Sequence, residues 1–309
     1  MPPRRLRRRP PEGERPAWGG PAPDGLTWLA VSHEADPQRW YTTNLVGVPA
    51  HVLGSAAFNA HPLALHIAGT RESHAGLFAL LARSADLNEA GEMFMHYLAI
   101  AFGLTPAASD ACAAERHRWR SSYLKLLQGW GLDSNSPSGA VLKGWVESRF
   151  GLIPTFHQAP LARFPSPAWI RYLEEKSSSR FHNNCIQQQL DLLFEFCQWV
   201  LLRYAPLGPG PFVPLWRGTN RCEEQVVGGS LQPGQRGGVG RRLTLRLNNL
   251  VSFSREREHA ECFGDWVLEA RVPLSKLVFF PGLLPGRILT GEDEVLVLGG
   301  DYLMRARYD

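Results

Sequence analysis

The hydrophobic pattern changes period once, in the Pro-rich stretch from Pro206 to Pro214. From about residue 76 to 204 apolar residues recur at helical spacing. Met93, Phe94, Tyr97, Leu98, Ala101 and Phe102 form one stripe, with Asn88 placed to cap it. A second helix is expected after Asp110, with Trp119, Tyr123, Leu126 and Trp130 on one side. The clearest helix spans about 184–204. Ile186, Leu190, Leu193, Phe194, Cys197, Leu201 and Tyr204 make its apolar face, and Pro206 stops it. Beyond G-P-G-P-F-V-P at 208–214 the spacing becomes that of strands. Leu243, Leu245 and Leu247 alternate with Thr244, Arg246 and Asn248. Val267–Val272, Leu277–Phe280 and E-V-L-V-L at 294–298 are further strands. Helices followed by strands, with no strand–helix–strand rhythm, predict an α+β fold with a mixed or antiparallel sheet and not a doubly wound one. The expected organisation is a disordered leader at 1–24, a mainly helical part at 25–207 and a β-rich part at 208–309, the last two forming one compact unit.

Charge narrows the function classes. The formal net charge is +4, yet residues 1–16 hold six arginines against Glu12 and Glu14, so the tail carries the whole excess. A neutral body argues against nucleic-acid binding, which needs a positive face for phosphates. The leader reads as solvated chain and lacks the apolar stretch of an export signal. No run approaches the length of a membrane span. Five cysteines with no C-x-x-C spacing fit reduced thiols in the cytoplasm and no zinc site. The Gly-rich segment 228–241 lacks the Gly-Lys-Ser/Thr ending of a phosphate loop and reads as a surface loop.

Three short segments carry candidate chemistry. In Trp216-Arg217-Gly218-Thr219-Asn220 the guanidinium offers a fork of donors that matches phosphate oxygens, and a glycine lets a ligand approach the backbone. Val251-Ser252-Phe253-Ser254 ends an alternating strand. In Gly291-Glu292-Asp293-Glu294 the two glutamates share a face, about 7 Å apart, provided that the strand begins near Glu292. Paired carboxylates ahead of a buried run disfavour each other's charge, an arrangement common at functional sites. Each segment alone also has an ordinary structural reading.

The order Arg-Gly, Ser-x-Ser, Glu-x-Glu resembles the mono-ADP-ribosyltransferases with the Arg-Ser-Glu signature, whose Glu-x-Glu version goes with transfer to arginine. The stretch 41–82, Y-T-T-N-L-V-G-V-P-A-H-V-L-G-S-A-A-F-N-A-H-P-L-A-L-H-I-A-G-T-R-E-S-H-A-G-L-F-A-L-L-A, is similar to the nitrogenase-linked branch of nitrogen-fixing bacteria, as is L-W-R-G-T-N-R. The resemblance implies a cytoplasmic enzyme that moves ADP-ribose from NAD+ to an arginine of dinitrogenase reductase. It implies no metal, and a PII signalling protein as regulator. It assigns Glu294 to the ribose 2′-hydroxyl and the developing oxocarbenium, and Glu292 to the incoming guanidinium. Ser252 fixes Glu294, Arg217 holds the NAD+ phosphates, and Gly218 offers backbone contacts, with Thr219 and Asn220 beside it. Phe253 is either a ring for the nicotinamide or part of the core. Two alternatives stay open: another protein target, or an NAD+-binding regulator without catalysis. His61, His66 and His74 lack the spacing of a metal site and read as structural or docking residues. Glu92 and His96 lie four apart with no second histidine to complete a zinc motif.

Overall fold

The computed structural model describes residues 44–104, 119, 121–178, 181, 184–220, 226–229, 241–286, 288–289 and 293–308. The chain falls into two units, Met1–Glu34 and Ala35–Asp309, and only the second holds described residues. The expected leader and all but the ends of the Gly-rich segment 228–241 lie outside them.

Four short helices open the described chain: α1 (Ala50–Leu53), α2 (Ala56–Ala60), α3 (Thr70–Ser73) and α4 (Ala75–Leu81). The longer α5 (Leu87–Phe102) follows. Its cap is Asp86 and not Asn88. The Asp86 carboxylate accepts from the Glu89 N–H, and Glu89 accepts in turn from the Ala85 N–H at 2.6 Å. An acidic residue followed three later by Glu offers two orphan amides a partner, which Asn88, already inside the helix, does not.

Next come α6 (Tyr123–Leu132), α7 (Pro137–Phe150), the two-stranded ribbon β1 (Phe156–His157) with β2 (Ala159–Pro160), α8 (Pro167–Ser178) and α9 (Asn184–Tyr204). The last matches the expected helix, with Ile186, Leu190, Leu193, Phe194 and Cys197 all buried. Each such side chain contributes ~1.5–3 kcal/mol by leaving water. α9 also reaches both halves of the fold. The buried Glu195 accepts from the Ile67 N–H at 2.6 Å and from Arg71, and so ties down the family-like stretch near the amino end. Gln198 donates to the Leu277 carbonyl at 2.9 Å, on the edge of the sheet.

That sheet is antiparallel and follows Pro206, as the change of period predicts. Its strands are β3 (Phe212–Thr219), β4 (Val226–Gly228), β5 (Arg241–Ser254), β6 (Trp266–Pro273), β7 (Leu277–Phe279) and β8 (Glu294–Tyr308), with α10 (Arg257–Glu261) after β5. The architecture is α+β. Neighbouring pairs run β5–β3–β6–β8 and return to β5, so four strands close a circuit. The closing rung is Trp216↔Ser254, and Ser254 also stands opposite Glu294.

A β-bulge sets that last pairing. Leu247 faces Gly300 and Leu250 faces Leu298, leaving Asn248 and Asn249 against Gly299 alone. A Cβ at Gly299 would come within 1.5 Å of the Asn248 carbonyl oxygen, so only glycine fits there. Without the extra residue, counting six on from Leu247↔Gly300 would set Phe253 opposite Glu294. With it, Ser254 stands there. Asn249 donates to the carbonyls of Lys143 and Leu152, and Asn248 to that of Phe156. The bulge is therefore held by α7 and the segment after it.

Candidate active site

Residues directly opposite in an antiparallel pair share a face, and those two apart on one strand do too. Ser252, Ser254 and Glu294 therefore lie on one face, and Phe253 and Val295 on the other. The Ser252 hydroxyl donates to Glu294 Oε1. From β3, Arg217 Nη1 donates to the Ser252 carbonyl at 2.7 Å. Three residues 35 and 42 positions apart along the chain thus meet at the ends of β3, β5 and β8.

The electrostatics of this cluster are unfinished. Arg217 Nε is buried and has no hydrogen-bond partner among the described residues. Burial pushes the guanidinium below its ordinary pKa, and the nearby Glu294 carboxylate acts in the opposite sense. A buried donor left unmatched costs roughly 1–3 kcal/mol, which a ligand anion would recover. On Glu294 both side-chain bonds fall on Oε1, and among the described residues Oε2 makes none. A carboxylate with one oxygen fixed and one open can meet a positive centre, while the arginine meets an anionic group of the same ligand.

Gly218 has a packing reason beside any ligand role. A Cβ there would sit 1.9 Å from the Ala260 carbonyl oxygen of α10, so this helix crosses β3 where a side chain is missing. Thr219 ends β3, half-buried. Asn220 is exposed and its side chain accepts from the Asp265 N–H at 3.1 Å, which holds the turn into β6. Phe253 takes the core alternative. It is 2% exposed and packs near the Tyr302 ring, on the face away from Ser252, so it is corrected from a nicotinamide ring to a core side chain.

The same-face expectation for the glutamate pair also changes. β8 begins at Glu294, and Asp293 before it has φ 52°, so extended backbone does not run back through Asp293. Glu292 lies outside the described residues. His66 faces Glu195 at 3.2 Å and His74 faces the Tyr97 hydroxyl at 2.9 Å, both structural contacts far along the chain from the signature. Glu92 and His96 are exposed on α5. Cys185, Cys197 and Cys262 are free, and Cys112 and Cys222 lie outside the described residues. Among the described residues no group of three metal-ligating side chains is assembled, and no helix is long and apolar enough to cross a membrane.

One participant escaped the sequence reading. Trp130, read there as a stripe residue of its helix, donates its indole N–H to Ser252 Oγ at 2.8 Å and to Glu294 Oε1 at 3.2 Å. No local signal separates such a tryptophan from a core one, because both sit on the buried stripe of an amphipathic helix. Behind its ring lies Lys143, whose Nζ is 5.9 Å from the centroid. Lys143 bonds Asn135 Oδ1 and the Phe156 carbonyl, both at 3.1 Å, and faces His157, whose other ring nitrogen meets Glu175 at 2.8 Å. Burial lowers the Lys143 pKa to about 8, against the opposing pull of Asp133 and Glu175.

A half-satisfied carboxylate close to a guanidinium with a spare buried donor can meet a ligand that carries both an anionic group and a positive centre. The chain belongs to the dinitrogenase reductase ADP-ribosyltransferase family, whose model matches residues 43–306. It is 50% identical over 278 residues to the NAD(+)–dinitrogen-reductase ADP-D-ribosyltransferase of Rhodospirillum rubrum, covering 89% of this chain and 98% of that protein. No solved structure matches it significantly.

Proposed function

We propose that this protein transfers ADP-ribose from NAD+ to an arginine of dinitrogenase reductase and thereby switches that protein off. Family membership and half-identity to a transferase of that name support the reaction and the acceptor. The observation that carries the site is the convergence of Arg217, Ser252 and Glu294 with donor and acceptor capacity to spare.

In the reaction the bond between the ribose C1′ and the nicotinamide nitrogen breaks, and nicotinamide leaves with the electron pair. A guanidine nitrogen of the acceptor arginine forms the new bond to C1′. Positive charge builds on the ribose in between, as in glycoside hydrolysis. Glu294, fixed at Oε1, offers its carboxylate to that charge and to the 2′-hydroxyl. Such a group helps because its dipoles and charge are arranged before the reaction starts. Arg217 grips the phosphates through its spare donors. Gly218, Thr219 and Asn220 line the approach to the nicotinamide end. Glu292 orients the acceptor guanidinium and takes its proton, since a protonated guanidinium is a poor nucleophile.

By the same family resemblance the enzyme acts in the cytoplasm and answers to a PII signalling protein. The test is incubation with labelled NAD+ and purified dinitrogenase reductase, followed by mapping of the labelled residue. Label on one arginine is expected. Nicotinamide release with no label on any arginine of the acceptor would overturn the assignment.

A further inference from the structure

Trp130 joins the site from outside the strands that bear the signature. It is 3% exposed and lies near the end of α6. Its one N–H is shared between Ser252 Oγ and Glu294 Oε1. The Ser252 hydroxyl has a single hydrogen, which it gives to Glu294, so it meets Trp130 as an acceptor. The result is a closed triangle. Indole N–H and serine O–H both point at one carboxylate oxygen, and the indole also steadies the serine. Two donors converging on one oxygen restrict the carboxylate's rotation about its last bond far more than one does, and they leave Oε2 for chemistry. The indole is in turn held from its face by Lys143, itself fixed by three partners.

We propose that Trp130 is a positioning residue for transfer, through which the helical part of the chain holds the Glu294 carboxylate in its reactive rotamer. The proposal rests on the reading of Glu294 as the carboxylate of transfer. It follows from catalytic geometry that such a residue acts on the rate and much less on NAD+ binding, because it organises a group used in the transition state.

The experiment compares the full-length parent with Trp130→Phe, Ser252→Ala, the double variant and Glu294→Gln. Nicotinamide release and transfer to dinitrogenase reductase are measured over a range of NAD+. Trp130→Phe keeps the ring and removes the N–H. It is expected to lower kcat about tenfold, which is ~1.4 kcal/mol in the barrier, with KM for NAD+ within about threefold when the rate is measured well below the melting transition of each variant. The double variant is expected to lose less than the product of the two single losses, since both donors serve one oxygen. A kcat within twofold of the parent, or losses that simply multiply, would overturn the proposal.

A second measurement does not depend on that variant folding. In the parent labelled with 15N-tryptophan, Glu294→Gln should move one indole N–H resonance well beyond the others. If none moves, the N–H is not engaged and the proposal fails. If Glu294→Gln itself transfers at the parent rate, it is the reading of the site that falls. If that variant is inactive while Trp130→Phe is normal, the loss is confined to the role of Trp130.

Discussion

Two polar clusters meet at Trp130, and they are finished to different degrees. On the face of the ring, Lys143, His157 and Glu175 form a chain in which each group has a partner, and the lysine has three. At the N–H edge, Arg217, Ser252 and Glu294 are also linked, but among the described residues Arg217 Nε is unmatched and Glu294 Oε2 is open. Buried polar groups are expensive unless satisfied. A cluster that satisfies itself therefore serves stability, and one that leaves a donor and an acceptor over is shaped for something that arrives from outside. The difference teaches where to look for function in a fold with many buried charges. Burial alone does not single the site out, and neither does one unmatched atom, since among the described residues Arg71 Nη2 and Asn249 Oδ1 are also buried without a partner; what marks the site is an unmatched donor close to a carboxylate with one oxygen open.

The contrast can be broken from either side. The largest expected effect is on the open cluster: Glu294→Gln should reduce transfer by ~100-fold or more, as loss of one preorganised electrostatic group does elsewhere. Labelled-NAD+ transfer checks it, and activity within threefold of the parent would place the reactive carboxylate elsewhere. Glu292→Gln should cut arginine transfer much more than NAD+ hydrolysis, so the ratio of labelled acceptor to free nicotinamide falls. Equal losses in both would remove Glu292 from acceptor activation.

Arg217→Met should raise KM for NAD+ by about tenfold to a hundredfold, because a charge-assisted contact to phosphate is worth roughly 1.5–3 kcal/mol. An unchanged KM would mean that the spare donor is not for phosphate. In the closed cluster the sign of the result reverses. His157→Phe leaves Lys143 and Glu175 each short of a partner, at a cost of about 1–3 kcal/mol and several degrees of Tm. Its transfer rate below the melting transition should stay within twofold. A large loss of rate at unchanged Tm would show that both clusters serve the reaction.

Much of the fold could be read from periodicity. Ile186 to Tyr204 repeats every three to four residues for more than five turns, and Leu243, Leu245 and Leu247 alternate cleanly, so both elements appear where expected. The convergence of Arg217, Ser252 and Glu294 was legible only through the order of short motifs, since nothing in their own neighbourhoods says that they touch. Other features had weaker signals. The cap at Asp86 competes with Asn88 two residues on, and the choice depends on where Glu89 can reach back. Phe253 follows Ser252 on a strand, so its face depends on the register, and the register depends on a bulge. Trp130 was hidden because a helix stripe buries functional and inert side chains alike.

The bulge at Asn248 and Asn249 has a further meaning. In a pair of antiparallel strands the count of residues decides, odd or even, which side chains face each other on one side. Shift that count by one and a core phenylalanine takes the place of a serine opposite the carboxylate. Here the count is locked by amide hydrogens given to carbonyls of Lys143, Leu152 and Phe156, outside the sheet altogether. The strands supply the acid, and the helical side decides which way it looks. Sequence drift along the two strands can thus be wide so long as this phase is kept, while a single deletion beside Asn249 would turn the enzyme's chemistry inside out without touching one of its reactive groups.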